Sequence, residues 1–588
     1  MVKCLTSGRM SHSSRKLRFI ASDEVSCNQT STSSEIQPIL EPSPAVVQPK
    51  AFYRRRAIQS KGALLVLIIC ACVDVGQFSA LNQLLKTLLE MNEPDSIALL
   101  FFIYIVVGVA IPQLFYPLAG WLADARYGRH RVIQISLWCM WLGQCALSVT
   151  LLLFELCQNY SVYYHKIFMY FLFPVSFIII NVGVAGFQAN IIQFGIDQMV
   201  DASGDQMSAF IHWYYWSTFI GGAVLSLVLE SFLPAYTLYA FEVGIDTLLL
   251  SIALLCWYKL KNWLIIEPQC QNPFKMVYDV IKFASKHKHP IYRSALTYWD
   301  DTRPSGLNLG KNKYGGPFSN EEVESVKSFF AITGVLLSLG LYVIADNTVI
   351  SPLVTRMKDK TLLHRQLQHV NDYVFTAGNL AVSASQVLPI LLMIPVCELM
   401  IYPLMQNYKP TILKKIGIGM MVAIISNIVS LVVYANLHSI QLGTEKHHCF
   451  LLNSSIYDNV TLPAPIIVIP VTISTFSELL VYIAGFEFIC AQSPYSFRGM
   501  LIGTFYAIQG LFATISILIA LVVAYGYKYQ DGKHGCGYVY YPGMLAIATV
   551  GFVIYMVVGW RYKGRERDEH IDHHIIAENY FSSAAINN

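Results

Sequence analysis

The chain has 588 residues, of which 55% are apolar and only 13% charged, with a net charge of +4. Soluble domains carry about a quarter of their residues charged, so this composition excludes an ordinary soluble protein and reads as a membrane protein with many spans. The basic residues fall in short clusters between apolar runs, which excludes a nucleic-acid surface, and the 13 Cys sit mostly inside apolar runs with no CxxC spacing for zinc or redox chemistry.

Residues 1–60 are rich in Ser, Pro, Thr and Gln, lack the apolar core of a signal peptide and end in Arg54-Arg55-Arg56, which predicts a disordered tail. Apolar runs of the roughly 20 residues that cross a bilayer follow. They lie near 61–89, 96–122, 132–155, 165–188, 210–230 and 236–260, and again near 327–350, 382–405, 416–438, 464–490, 500–526 and 541–562. The expectation is an all-α membrane protein of twelve helices, with six-helix bundles over 61–260 and 327–562. A polar linker over 261–326 separates them, its DDTRPSGLNLGKNKYGGPFSNEE portion having turn chemistry, and a second tail covers 563–588. Tyr116-Pro117-Leu118 closes the second run and Tyr402-Pro403-Leu404 the eighth, a faint internal repeat of the kind seen in transporters with two pseudo-symmetric halves.

Lys and Arg prefer cytoplasmic loops. Arg54 to Arg56, RYGRHR at 126–131, the Lys-rich 259–293, Lys409, Lys414 and Lys415, Arg498, and Arg561 to Arg567 all fall on one side, which puts both termini in the cytosol. The glycosylation acceptors Asn159, Asn453 and Asn459 then fall outside, whereas Asn28 falls in the cytosolic tail. The basic 351–372 loop falls outside, against this rule. Cys449 and Cys536 occupy different outside loops, where a disulfide can form; the neighbouring His447, His448 and His534 read as ordinary loop histidines, and no metal or other cofactor is expected. The tail segment Glu35-Ile36-Gln37-Pro38-Ile39-Leu40 is similar to acidic dileucine signals for endolysosomes, but the plasma membrane is the preferred location.

GWLADARYGRHR, Gly120 to Arg131, resembles the loop between helices 2 and 3 of the major facilitator superfamily. Four further stretches resemble the proton-dependent oligopeptide transporter family: GVAGFQANIIQFGIDQ (183–198), FIHWYYWSTFIGG (210–222), IYPLMQNYKPTILKKIGIG (401–419) and GFEFICAQSPYSFRG (485–499). The similarity runs in order from 60 to 565. It implies the major facilitator fold, alternating access, a peptide or small-molecule substrate, symported protons, a monomer in the lipid bilayer and no enzyme activity. HExxH, GxSxG and P-loop motifs are absent.

Glu487 in an otherwise apolar run asks for a partner or a function, because a charge at the bilayer centre costs about 2.5–3.5 kcal/mol on insertion scales. Read alone, it is a carboxylate paired to a neighbouring helix; the resemblance implies that it binds the amino group of a substrate. The resemblance further places Gln188, Asn190, Gln77, Asp346 and Asn347 around the substrate, and Asp124, Arg126, Arg129 and Arg131 in a cytoplasmic gate. Glu398 and Glu478 also resemble family acids and are read as packing or gating residues. The departures matter as much. The helix 1 proton-coupling motif ExxERFxYY reads Val73-Asp74-Val75-Gly76-Gln77-Phe78-Ser79-Ala80-Leu81, and the helix 4 Lys is Gln188. Asp74 and Asp346 are the remaining candidates for proton coupling, and the loss of two cations suits amines, cations or neutral solutes better than a peptide carboxylate. The alternatives are an orphan or sensor-type relative, or an uncoupled carrier of amines, amino acids or other small solutes.

Overall fold

The computed structural model describes residues 60–91, 106–157, 171–199, 202, 204–220, 239–266, 272–287, 306–346, 388–404, 410–441, 465–529 and 537–562. Before the linker the helices are α1 (Lys61–Met91), α2 (Val106–Tyr127), α3 (Arg129–Cys157), α4 (Phe173–Asp197), α5 (Gly204–Phe219) and α6 (Tyr239–Lys259). In the linker is α7 (Pro273–Lys286), and beyond it α8 (Asn320–Ala345), α9 (Leu388–Leu404), α10 (Ile412–Gln441), α11 (Pro465–Gln492), α12 (Arg498–Tyr529) and α13 (Gly537–Arg561). Among the described residues, α2, α3, α4, α8, α10, α11, α12 and α13 are long and apolar enough to cross a membrane. Helices α1, α5, α6 and α9 occupy the positions of the other four expected spans.

The side chains are arranged as a bilayer requires. On α3, Ile135, Trp138, Leu142 and Val149 recur at helical spacing and are exposed, while Ser136 and Gln144 are buried against other helices. Polar groups inside and an apolar stripe outside invert the soluble pattern, because the surrounding solvent is hydrocarbon.

Helix pairing repeats along the chain. In the first half α3 packs on α4, α1 on α6 and α5, and α6 on α3; in the second half α10 packs on α11, α8 on α13 and α12, and α13 on α10. Each pair recurs seven elements later, so the pairing pattern of the first half is repeated in the second. The halves meet where α12 packs on α2 and α4 and where α11 packs on α5.

Several boundaries differ from the sequence reading for physical reasons. Helix α4 runs to Asp197, nine residues beyond the expected end, because Gln188, Asn190 and Gln193 are polar residues turned into the bundle and lower the hydropathy without ending the helix. Helix α8 begins at Asn320, ahead of its apolar run, because Ser319 and Glu322 form a capping box that satisfies the first backbone N–H groups. The linker, expected as a polar loop, contains the amphipathic α7. Asn272 caps it and accepts the Trp121 Nε1–H bond at 2.9 Å, which ties the linker helix to the end of α2.

Candidate functional site

At one end of the bundle the halves are joined by backbone as much as by side chains. Asp124 lies in a π-helical turn at the end of α2, 3% exposed. Its Oδ2 accepts the backbone N–H groups of Gly499, at 2.9 Å, and Met500, at 3.3 Å, in the first turn of α12. A carboxylate there satisfies orphan donors and meets the positive end of the helix dipole. Its Oδ1 accepts from Arg129 Nη2 at 3.1 Å, and Arg129 Nη1 reaches Asp197 Oδ2 at 2.7 Å, so one buried guanidinium bridges two carboxylates. Tyr495 covers the guanidinium with its ring, 5.1 Å from centroid to Cζ. The approach of α2 to α12 needs glycine: a Cβ on Gly120 would lie 2.2 Å from Gly499 O, and one on Gly503 would lie 2.4 Å from Tyr116 O.

A second polar cluster joins α5 to α9, α10 and α11. Glu487 Oε2 pairs with Lys415 Nζ at 2.8 Å, and Glu487 Oε1 accepts from the Ser208 hydroxyl. His212 Nδ1 lies 2.7 Å from Ser208 O, 3.2 Å from Glu398 Oε1 and 3.6 Å from Glu487 Oε1. Tyr402 OH lies 3.2 Å from His212 Nε2, and Lys415 Nζ sits 5.4 Å from the centroid of the Tyr402 ring. Glu487 is five residues from the end of α11, about 7.5 Å along its axis, and Lys415 lies in the first turn of α10. The cluster is therefore towards the Arg129 end of the bundle and not at mid-span.

Mid-span acids form a third group. Glu478 lies at the midpoint of α11 and accepts from Tyr215 OH of α5 at 3.3 Å, a contact between the halves. Asp346, where α8 ends, accepts from Ser474 Oγ at 2.6 Å, and Tyr342 OH lies 3.5 Å from its other oxygen. In α1, Asp74 accepts from Gln188 Nε2 at 2.9 Å; the same nitrogen lies 3.3 Å from Gln77 Oε1, and Tyr214 OH donates to Gln188 Oε1 at 2.9 Å. Asp74, Gln77, Glu478, Tyr482 and Tyr506 are only half-buried, although the hydrogen bonds of the first three point between helices. Polar side chains at mid-helix whose hydrogen bonds run to neighbouring helices face the bundle interior rather than lipid.

The sequence-predicted residues thus separate. Asp74, Gln77, Gln188 and Asp346 lie with the mid-span acids, and Glu487 lies apart from them with Lys415. Asn190 donates to Gly186 O at 2.9 Å and to Ala119 O at 3.4 Å, in the α2–α4 contact. Of the expected gate, Asp124 and Arg129 pair; Arg126 and Arg131 are exposed, Arg126 lying over the Trp121 ring at 5.9 Å. Asn347, Asn159, Asn453, Asn459, Cys449 and Cys536 lie outside the described residues. Sequence reasoning missed Asp197, Ser208, His212 and Lys415 as site residues. His212 and Asp197 stand inside quoted motifs, but no spacing rule pairs them with partners far along the chain.

The POT family model, PTR2, matches residues 130–534. The chain belongs to the POT family. As a POT-family chain it is similar to mouse Solute carrier family 15 member 3, 23% identical over 595 residues that cover 92% of this chain and 96% of that one. In fold this POT-family chain is similar to an auto-inhibited POT family peptide transporter, with a TM-score of 0.58, 17% identity and coverage of 86% of this chain and 98% of that one. It is also similar to a POT family transporter solved in complex with 5-aminolevulinic acid, with a TM-score of 0.51, 14% identity and coverage of 85% and 96%. Family and fold are those of membrane transporters, and the fold is that of the major facilitators.

Proposed function

We propose that this POT-family chain is a secondary active transporter of peptides or peptide-like small solutes, working as a monomer by alternating access and driven by protons. The observation that carries the reading is the row of half-buried mid-span acids with neutral partners: Glu478 with Tyr215 between the halves, and Asp74 with Gln188. Such a lining favours a solute bearing an amine, because a carboxylate in a low-dielectric space gains most from an ammonium ligand. One fold neighbour holds 5-aminolevulinic acid, which carries an amine. In this reading Asp74 and Asp346 are candidates for proton exchange, Gln77, Gln188, Asn190 and Asn347 border the solute, and Glu487 receives an amine only by exchange with Lys415. The Asp124–Arg129 end is the cytoplasmic gate, both termini are cytosolic, and the plasma membrane is the site of action.

Uptake of labelled dipeptides, histidine and nitrate into cells expressing the protein, at outside pH of about 5.5 and about 7.5, tests the reading. Acid-stimulated uptake of an amine-bearing solute, lost in Glu478→Gln with surface expression intact, is the expected result. No uptake of any solute by protein at the surface would overturn it in favour of a sensor-type relative.

A further inference from the structure

Helix α7 presents a face that the rest of the described fold leaves uncovered. Its Pro273 and Val280 are buried, and Phe283 packs edge-on against Phe318, just ahead of α8. Phe274, Tyr278 and Ile281 are 47%, 61% and 40% exposed. Spaced four and then three residues apart, they fall within about 60° of one another around the helix. Lys275, Lys282 and Lys286 form a second exposed arc, about 40° wide, on the flank away from Pro273 and Val280. Half-buried Asp279 is the only acid on α7, and none of the three lysines pairs with a carboxylate among the described residues.

The place of this face in the molecule decides what it meets. On α2 an exposed apolar stripe runs through Ile111, Leu114 and Leu118, and the next residue at helical spacing is Trp121. The Trp121 indole N–H is held by Asn272, the cap of α7, and its ring lies 5.5 Å from that of Phe274. Phe274 thus takes up the lipid-facing stripe where α2 leaves it, and Tyr278 and Ile281 continue it along α7. Cations fold over the aromatic rings at this edge: Arg126 lies 5.9 Å from the Trp121 centroid, and Lys282 Nζ lies 5.3 Å from that of Tyr278. Trp and Tyr favour the boundary between hydrocarbon and headgroups. An apolar arc flanked by lysines is the pattern of a helix lying in the membrane surface, its rings at the edge of the acyl chains and its ammonium groups among the phosphates.

We propose that the outer face of α7 is a docking site for the membrane surface, with Phe274, Tyr278 and Ile281 seated at the edge of the acyl chains and Lys275, Lys282 and Lys286 holding anionic phospholipid headgroups. Helix α7 also packs on Gly306–Gly310 and on α8. The bound lipid therefore steadies a helix that touches α2 of the first half and α8 of the second. The site is independent of which solute the protein carries.

The test uses the full-length protein carrying p-benzoylphenylalanine at position 278, in lipid nanodiscs of phosphatidylcholine alone or with about 30% phosphatidylserine. After illumination, lipid adducts on the peptide that spans α7 are identified by mass spectrometry. Adducts are expected in both discs. In the mixed disc phosphatidylserine should be enriched over its share by about fivefold, the factor that one lysine beside an anionic surface brings. The triple variant Lys275→Gln, Lys282→Gln, Lys286→Gln should keep the adduct and return its composition to that of the disc. Phe274→Ser combined with Ile281→Ser should remove most of the adduct. The probe at position 281 repeats the measurement if the first protein does not elute as a single species. No lipid adduct at either position would overturn the docking, as would a protein adduct in its place when the probe is used in membranes of the expressing cells. Phosphatidylserine enrichment that is absent with all three lysines present, or that survives in the triple variant, would overturn the headgroup assignment.

Discussion

Lys415 Nζ lies 2.8 Å from Glu487 Oε2, so the carboxylate that the family motif assigns to a ligand amine already holds an amine of its own. A solute reaching it must exchange with Lys415, and the energy of that pair becomes part of the cost of binding. A buried pair that loses one partner is destabilised by about 3–5 kcal/mol because the other charge is left uncompensated, whereas removal of both can be close to neutral.

Lys415→Met and Glu487→Gln should therefore each lower the thermal midpoint of the purified protein, while the double variant recovers much of the loss. A double-mutant cycle read by thermal unfolding checks this. Strictly additive losses would show that the 2.8 Å contact carries no coupling.

Arg129→Ala leaves Asp124 and Asp197 facing one another at the end of the bundle, and should cost on the order of 3–5 kcal/mol. Arg129→Lys should recover only part of it, since an ammonium lacks the guanidinium fork that reaches both carboxylates. Thermal unfolding of the two variants beside the wild type decides; a Lys variant as stable as the wild type would show that bridging is unimportant.

Gly120→Ala should force α2 and α12 apart, because the new methyl meets the Gly499 carbonyl at 2.2 Å and backbone cannot move aside cheaply. Overpacking of this kind costs about 1–3 kcal/mol. Gly543→Ala in α13 meets nothing within 4 Å and should be neutral or slightly stabilising. Amide hydrogen exchange over 498–510 should rise in the first variant only; equal exchange in both would contradict the close approach.

Gln188→Lys places an ammonium where Gln188 Nε2 now donates to Asp74 at 2.9 Å. It should shift selectivity towards solutes that also bear a carboxylate, read as the ratio of dipeptide to simple amine uptake by competition. An unchanged ratio would remove residue 188 from the solute's surroundings.

The fold was legible because apolar runs of spanning length dominate the chain, and α10, α12 and α13 match their expected limits to within a few residues. Helix α4 was misjudged where polar residues turn inward, since hydropathy records composition and not direction. The site was half legible. Asp124 and Arg129 are five residues apart and share a motif, so their pairing could be read locally. Lys415 meets Glu487 from 72 positions away, and nothing in either segment names the other. Lys415 was counted as a topology signal because its charge suits a loop, yet it folds into the first turn of α10 and points inward.

The Asp124 cap on α12 also bears on ionic strength. Mobile ions weaken contacts between exposed charges over a Debye length of about 8 Å at physiological salt, but they do not enter a carboxylate that is almost fully enclosed and held by backbone amides. The Asp124 contact with α12 should thus be as firm in concentrated salt as in dilute buffer, and only an internal rearrangement of the helices would break it.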